Sequence, residues 1–483
     1  MIGAACDVFD VAVIGAGIVG SAVARELAGY ELSVALLDAR DDVGDGTSKA
    51  NTAILHTGFD ATPGTLESRL VREGYHLLSG YAERTGIPIE RVGALLVAWD
   101  DEELAALPKL REKARRNGYD RAEIVGRDEV YRQVPHLGEG ALGGLTVPDE
   151  SITCTWSTNL ALATEAVLRG ATLLLGRRVE SIEPVEPLVE GPEQAASAVT
   201  VLRTSGGDVR ARWVINAAGL GADVIDRMFG HDRFTVTPRR GELLVYDKLA
   251  RPLADRIVLP VPTARGKGVL VSPTIYGNVM LGPTAEDRTD RCDTGTSEAG
   301  FAYLLGKGER IMPELLREEV TAAYAGLRAA IDHSDYLIEA DGRQHYILVG
   351  GIRSTGLTAG MAIARYVTGL AGEAGLTLAP RAALPDPPRM PNLGEAFTRP
   401  YRDAARIAAD PAYGTVVCFC ERVTAGEIRD AYRTPIPPSS LAGLRRRTRA
   451  MNGRCQGFFC GAEITKLMES KGDEHCPAPE TSR

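Results

Sequence analysis

Residues 9–40, FDVAVIGAGIVGSAVARELAGYELSVALLDAR, read as strand, tight turn, helix and second strand. The apolar run Val11 to Ile14 leads straight into Gly15, Gly17 and Gly20, a G-x-G-x-x-G spacing, and an alanine- and valine-rich helix follows. Glycine at these places permits the turn, lets a pyrophosphate approach the backbone and allows the helix to pack close on the strand. The free N–H groups at the helix start then face the phosphates. Asp38 ends the second strand 18 residues beyond Gly20, where an acid that binds ribose is expected, and Arg40 follows it. The stretch predicts a Rossmann-like dinucleotide site in an α/β chain, and it leaves FAD and NAD equally open.

The whole chain has 483 residues, 44% hydrophobic and 25% charged, with a net charge of -9. That length suggests about three units, or one large interleaved domain plus a small one, and the composition is that of an ordinary globular protein. The negative balance argues against a nucleic-acid binder, which needs a basic surface. The opening MIGAACDVFD has no basic n-region, and the apolar stretch after it is too short and glycine-rich to span a membrane. A cytoplasmic location is expected, and any membrane association would be peripheral, through a partner.

Two later stretches repeat the strand-then-glycine pattern: ARWVINAAGLGADVI at 211–225, with Ala218 and Gly219 after the strand, and YILVGGIRSTGLTAGMAIARYV at 346–367, with Gly351 before another helix. Together with the first sixty residues, the set resembles the FAD-dependent oxidoreductase family that includes D-amino acid oxidase, glycine oxidase, L-2-hydroxyglutarate dehydrogenase and FAD-linked glycerol-3-phosphate dehydrogenase. The resemblance implies FAD as cofactor, with Gly356, Leu357 and Thr358 beside the flavin ring and Val179 among the cofactor contacts. The segment GTSKANTAILHTGFDATPGTLESRL, 46–70, is similar to a loop of the glycerol-3-phosphate and L-2-hydroxyglutarate branches. By that likeness Thr47 and Ser48 meet the FAD pyrophosphate and His56 is the histidine that follows. TPGTL lies closer to the hydroxyglutarate branch.

Oxidising a secondary alcohol on a flavin requires hydride delivery to the ring and removal of the hydroxyl proton, and a base near neutrality serves best. His56 is the candidate, the alternative being a histidine that only hydrogen-bonds within the FAD loop. An anionic substrate also needs a planar cation. Arg328, in YAGLRAA, falls where the family's substrate-anchoring arginine commonly lies, and Arg353, in GGIRSTG, lies near the flavin; for each the alternative is a structural ion pair. Family glycerol-3-phosphate dehydrogenases generally carry an arginine shortly after the loop histidine, where this chain has Asp60. That weakens a phosphate assignment unless other arginines, such as Arg239 and Arg240, hold the phosphate.

Between the FAD segments, helical stretches such as Asp101 to Asn117 alternate with strand-rich stretches such as Arg178 to Ile215 and Leu243 to Leu281. This predicts an FAD-dependent oxidoreductase domain over 1–378, with FAD-binding parts at about 8–80, 146–227 and 326–378. An antiparallel-sheet substrate domain of about 81–145 and 228–325 is threaded through it. A proline-rich run over 379–412 reads as a semi-rigid linker to a small helical unit at 413–470.

That last unit holds Cys418, Cys420, Cys455 and Cys460, while Cys6, Cys154, Cys292 and Cys476 stand alone. Clustering of this kind suits a ligand site in a reducing compartment better than a disulfide framework. C-x-C, a gap of 34 residues, then C-x-x-x-x-C offers four thiolates, enough for zinc or a [2Fe-2S] cluster. The words VVCFCERVTAGEI and RRRTRAMNGRCQGFFC resemble the bacterioferritin-associated ferredoxin-like [2Fe-2S] module at the C-terminus of the anaerobic glycerol-3-phosphate dehydrogenase large subunit. Arg445, Arg446, Arg447 and Arg449 are expected either to favour the anionic cluster and a docking partner or to form a solvated helix face.

The two ends explain each other. A flavin takes two electrons as a hydride, and a [2Fe-2S] centre relays them singly. The architecture predicts a dehydrogenase of a small anionic secondary alcohol, sn-glycerol 3-phosphate first, which reduces an acceptor protein or quinone-linked subunit. The rivals are a 2-hydroxy acid dehydrogenase acting on L-2-hydroxyglutarate or a relative, an amino acid or amine oxidase, and a non-catalytic electron-transfer subunit.

Overall fold

The computed structural model describes residues 8–185, 199–262 and 268–469; Cys6 and Cys476 lie outside these. Strand Val8–Ile14 is the centre of an eight-stranded sheet. Val34–Leu37 runs parallel on one side of it and Val209–Asn216 parallel on the other. Tyr346–Gly350 continues the parallel order beyond Asn216. Val34–Leu37 and Tyr346–Gly350 are buried throughout, and Val8–Ile14 and Val209–Asn216 are buried over their apolar C-terminal halves. Helices Ile18–Leu27, Thr155–Leu168 and Gly356–Glu373 pack together over the sheet. Leu66–Thr85 crosses the last of them so closely that a Cβ on Gly74 would lie 2.2 Å from the Thr358 carbonyl oxygen.

The second layer is a nine-stranded sheet built on the pair Thr237–Tyr246 and Val320–Ala330, antiparallel from Thr237 opposite Ala330 to Tyr246 opposite Val320. It is antiparallel except where Ile257–Pro260 runs parallel to Ala94–Ala98. Its apolar faces form two further cores, one around Leu95, Val271 and Leu281, the other around Leu96, Leu145 and Leu270. The chain passes between the layers several times, the interleaving that the alternating sequence pattern predicts.

A small sheet does the work of placing the site. Ile54–Leu55 pairs antiparallel with Ser151–Thr153, Leu55 opposite Ser151. His56 follows the first strand and Glu150 precedes the second, so this register brings the two side by side.

The tract over 379–412 is no loose tether. The Arg381 guanidinium donates to the Tyr30 and Leu32 carbonyls, Met390 N–H to Thr85 O, and Glu395 N–H to Ile275 O. Arg399 is buried and paired with Glu427 at 3.3 Å. Prolines stiffen the run, and these contacts lay it along the two large layers. Beyond it, helices Ala425–Tyr432, Leu441–Thr448 and Gly461–Glu469 and the ribbon Val416–Cys418 with Val423–Thr424 close a small core that contains Cys418 and Cys460. The Thr424 hydroxyl caps the first helix, and Glu427 returns a bond to the Thr424 N–H. Among the described residues no helix is long and apolar enough to cross a membrane.

Candidate active site and cluster site

The glycine turn has the geometry its sequence calls for. Gly15 sits at φ +105°, where a Cβ would lie 2.5 Å from Ala217 O, and a Cβ on Gly20 would lie 1.8 Å from Gly15 O. Both positions exclude any side chain because turn, helix and neighbouring strand end pack backbone to backbone, the close approach this motif needs. Ser48 Oγ accepts the Ile18 N–H at 2.9 Å, directly at the helix start. Asp38 accepts the N–H groups of Ala16 at 2.7 Å and Arg40 at 2.9 Å; burial nonetheless pushes its carboxyl up, outweighing these bonds. The Arg40 side chain is exposed and paired with Asp45 at 3.4 Å. The chain leading to Val179 runs alongside, with Arg177 N–H on Asp38 O and Gly176 N–H on Arg40 O. A shallow cleft lies beside Gly44, Ser48, Asn159 and Arg446, and the buried Asn159 Oδ1 has no partner among the described residues. The tight glycine turn at a helix start and an orphaned polar atom are a fit for a dinucleotide.

Thr47 turns away and donates to Leu327 O at 2.9 Å, joining the loop to the substrate sheet. Ala218 N–H donates to Asn216 Oδ1, and Gly219, at φ +57°, turns the chain into the next helix. Gly351 at φ +69° ends the strand Tyr346–Gly350, and Gly356, Leu357 and Thr358 form the first turn of Gly356–Glu373. Thr358 Oγ1 accepts the His56 N–H at 3.0 Å. The loop histidine and this helix start are therefore adjacent.

His56 Nδ1 lies 2.9 Å from Glu150 Oε2. The other carboxylate oxygen accepts Thr57 N–H at 2.6 Å and Thr57 Oγ1–H at 2.9 Å. Glu150 is fully buried while His56 keeps part of its ring in solvent. An Nδ1–H donated to this carboxylate would fix the ring's orientation and leave Nε2 for the substrate side. Glu150 carries no motif in PDESITC; it becomes visible only once the strand register sets it against His56.

Arg328 is tucked into the substrate sheet, its Nη2 donating to Thr284 O at 3.1 Å. No carboxylate among the described residues pairs with it. Burial, then the charge of Arg239 opposite, lower its pKa. A covered, unmatched guanidinium is what an anionic ligand needs. Arg353 differs: it is ion-paired with Glu67 and donates to Ser334 O at 3.0 Å. Arg239 is held by Asp287 at 2.6 Å, and Arg240 by Glu286 at 2.6 Å and Glu242 at 3.1 Å. Neither is a spare phosphate ligand.

The four clustered cysteines come together as two pairs. Cys420 lies near Cys455, and Cys418 near Cys460, close enough to influence each other's titration; all four are free thiols. Backbone N–H groups of Phe459, Gly457 and Phe458 hold Cys455 low, against burial and aided by Cys420, whereas burial pushes Cys460 up to about 12. Among the described residues no three His, Cys, Asp or Glu side chains converge as one metal ion requires. Two thiol pairs suit two irons with two protein ligands each, and N–H donors to sulfur suit an anionic cluster.

Three of the four neighbouring arginines are already paired within the protein, and Arg445 meets only Asn452 and Gln456 among the described residues. Arg446 and Arg447 reach Asp42 at 2.7 and 2.8 Å, and Arg446 reaches Asp45 at 2.6 Å, both acids on the dinucleotide loop. Arg449 pairs with Glu421 at 2.8 Å and lies 4.0 Å over the Tyr276 ring. Tyr276 stacks on Trp156, whose Nε1 donates to Lys49 O. The arginine helix thus joins the cluster unit to the cofactor loop.

Comparison with known proteins agrees with both halves. Residues 10–370 match the family model of FAD dependent oxidoreductases, and residues 416–470 that of the BFD-like [2Fe-2S] binding domain. The chain is 33% identical to the glycerol 3-phosphate dehydrogenase of Caloramator mitchellensis, over 95% of this chain and 94% of that one. It is 29% identical to the glycerol 3-phosphate oxidase of Mycoplasma pneumoniae, over 74% of this chain and 92% of that one. An L-alpha-glycerophosphate oxidase structure from Mycoplasma pneumoniae with FAD bound superposes with a TM-score of 0.73 at 26% identity, covering 80% of this chain and 99% of that one. The chain belongs to the FAD-dependent oxidoreductase family and carries a BFD-like [2Fe-2S] binding domain at its C-terminal end.

Proposed function

We propose that this enzyme oxidises sn-glycerol 3-phosphate at its secondary hydroxyl to dihydroxyacetone phosphate and passes the electrons through the C-terminal [2Fe-2S] unit to an external acceptor, a protein or quinone-linked subunit. The observation that carries this is the 33% identity to a glycerol 3-phosphate dehydrogenase across 95% of the chain, both modules included. The human L-2-hydroxyglutarate dehydrogenase is 26% identical over 68% of the chain, so the hydroxy acid reading has less behind it. The location proposed is the cytoplasm, for which the clustered free thiols speak.

When bound, FAD supplies the hydride acceptor and the cluster supplies one-electron relay. The chain's own residues do the rest. Arg328 holds the phosphate, its guanidinium having no carboxylate of its own among the described residues. His56 takes the hydroxyl proton at Nε2, and Glu150 fixes the ring and stabilises the charge that develops there. Arg353, already engaged by Glu67, would serve at most as a secondary anchor. Asp60 sits in a loop whose carbonyls at 58, 59 and 61 are gathered by Asn117 Nδ2, and the phosphate is assigned to Arg328 instead.

A substrate panel with a dye acceptor tests the proposal. Turnover with sn-glycerol 3-phosphate, with neither L-2-hydroxyglutarate nor amino acids supporting it, is expected. Turnover with a hydroxy acid alone, or ammonia release from an amino acid, rejects it.

A further inference from the structure

Three phenylalanines stand in solvent around the cluster thiols: Phe419 is 73% exposed, Phe458 85% and Phe459 78%. Single exposed apolar side chains need no explanation, but these all belong to the two loops that carry the cysteines. Phe419 lies between Cys418 and Cys420, and Phe458 meets Phe459 edge to face at 5.2 Å just before Cys460. Thiol burial is lopsided in the same direction. Cys418 and Cys460 are buried, while Cys420 and Cys455 are part-exposed. The outer edge of the thiol set therefore opens where the aromatic rings stand.

Near this edge Arg454 is paired with Asp247 and Glu319, while two other arginines find no carboxylate among the described residues. Arg422 is exposed and donates to Tyr401 Oη at 2.8 Å; Arg445 donates to Gln456 Oε1 at 3.4 Å, beside Cys455. Neither meets a carboxylate among the described residues, whereas Arg446, Arg447, Arg449 and Arg454 all do. Residues 416–470 hold nine basic and five acidic side chains in a chain of net charge -9. An apolar centre rimmed by unmatched cations is complementary to an apolar centre rimmed by carboxylates.

We infer that this face docks a one-electron carrier protein with an acidic contact surface. The inference rests on the proposed function, in which electrons leave through the cluster. Each docking event moves one electron: the reduced cluster returns to its oxidised state and the carrier's oxidised cofactor is reduced by one, so two carriers are reduced per alcohol oxidised. A second copy of the chain fits less well, because a two-fold contact would set Arg422 and Arg445 against their own copies. A lipid surface would match the cations but take no electron. Electron-transfer interfaces are small and short-lived, which suits three rings and two cations.

An acidic flavodoxin serves as the probe and cytochrome c, a basic carrier, as the control. Binding is measured by calorimetry on the full holoenzyme, and electron transfer starts from protein reduced with dithionite. Because no substrate is used, a wrong substrate assignment leaves this result standing. Flavodoxin binding that weakens with salt is expected, about 10-fold weaker in Phe419→Ser/Phe458→Ser/Phe459→Ser and again in Arg422→Glu/Arg445→Glu. Transfer to the flavodoxin falls in parallel, while reduction of a small dye is unchanged. The inference is overturned by unchanged binding in both variants, by absence of flavodoxin binding to the wild type, or by equal affinity for cytochrome c. It is also overturned if the substitutions instead dissolve a dimer in sedimentation, or abolish capture by phosphatidylglycerol vesicles.

Discussion

Arg447 and Asp42, 405 positions apart, meet in a two-pronged pair: Nη1 to Oδ2 at 2.8 Å and Nη2 to Oδ1 at 2.8 Å, both side chains buried. Asp42 lies four residues past Asp38, so the cluster unit is docked on the very loop that would hold the cofactor. Ser439 Oγ adds a bond to Asp41 O at 2.9 Å. Breaking a buried pair leaves a charge uncompensated, and Arg446 offsets only part of it. Arg447→Ala is expected to cost about 3 kcal/mol in denaturant unfolding and to let protease release the C-terminal unit. Arg433→Ala, exposed, is expected to do neither.

The same pair sets an acid limit. Burial alone would raise the Asp42 carboxyl, but the hydrogen bonds and charges of Arg447 and Arg446 outweigh it and hold it low. A carboxyl depressed in the folded state stabilises above its unfolded value of about 3.9 and loses that contribution as pH falls through the folded value. Docking is expected to be indifferent to pH between about 5 and 8 and to fail only below about pH 4. Protease release of the C-terminal unit near pH 6 would contradict this.

His56→Ala is expected to lower kcat by about 10² to 10⁴-fold with the flavin spectrum retained. Glu150→Gln keeps the shape but can offer an N–H to Nδ1 and favour the wrong tautomer, so a loss of at least about tenfold in kcat with little change in KM is expected. Steady-state kinetics with a dye acceptor reads both.

Arg328→Met removes charge-assisted bonds of about 1.5–3 kcal/mol, a loss of roughly 10 to 100-fold in kcat/KM carried mainly by KM. Arg239→Met, whose arginine is already held by Asp287, is expected to be nearly silent.

What the sequence revealed and what it withheld divide along physical lines. The turn at Gly15 to Gly20 and the thiols at 418, 420, 455 and 460 are legible because local spacing alone dictates their geometry. Glu150 was invisible because its role depends on the antiparallel register between Leu55 and Ser151, a contact between distant segments. Arg445, Arg446, Arg447 and Arg449 read as one charged face, yet Arg446 and Arg447 converge on Asp42 and Arg449 on Glu421, while Arg445 meets no carboxylate among the described residues. Arg240 looked available until the sheet set Glu286 beside it. The proline run over 379–412 read as a spacer because composition reports stiffness and carries no record of what a stiff segment lies against.

Cys418→Ser or Cys460→Ser is expected to remove the iron and sulfide while leaving flavin reduction by substrate intact; Cys292→Ser, far from the set and exposed, is expected to change neither. Metal and sulfide analysis with the visible spectrum checks this.

The most direct test is an anaerobic titration of the isolated protein with sn-glycerol 3-phosphate, following flavin absorbance and the electron paramagnetic resonance of the cluster together. Bleaching of the flavin followed by the appearance of a reduced [2Fe-2S] signal in the same sample is predicted. A flavin that stays oxidised under sn-glycerol 3-phosphate, or that bleaches while the iron-sulfur signal never appears, would contradict it.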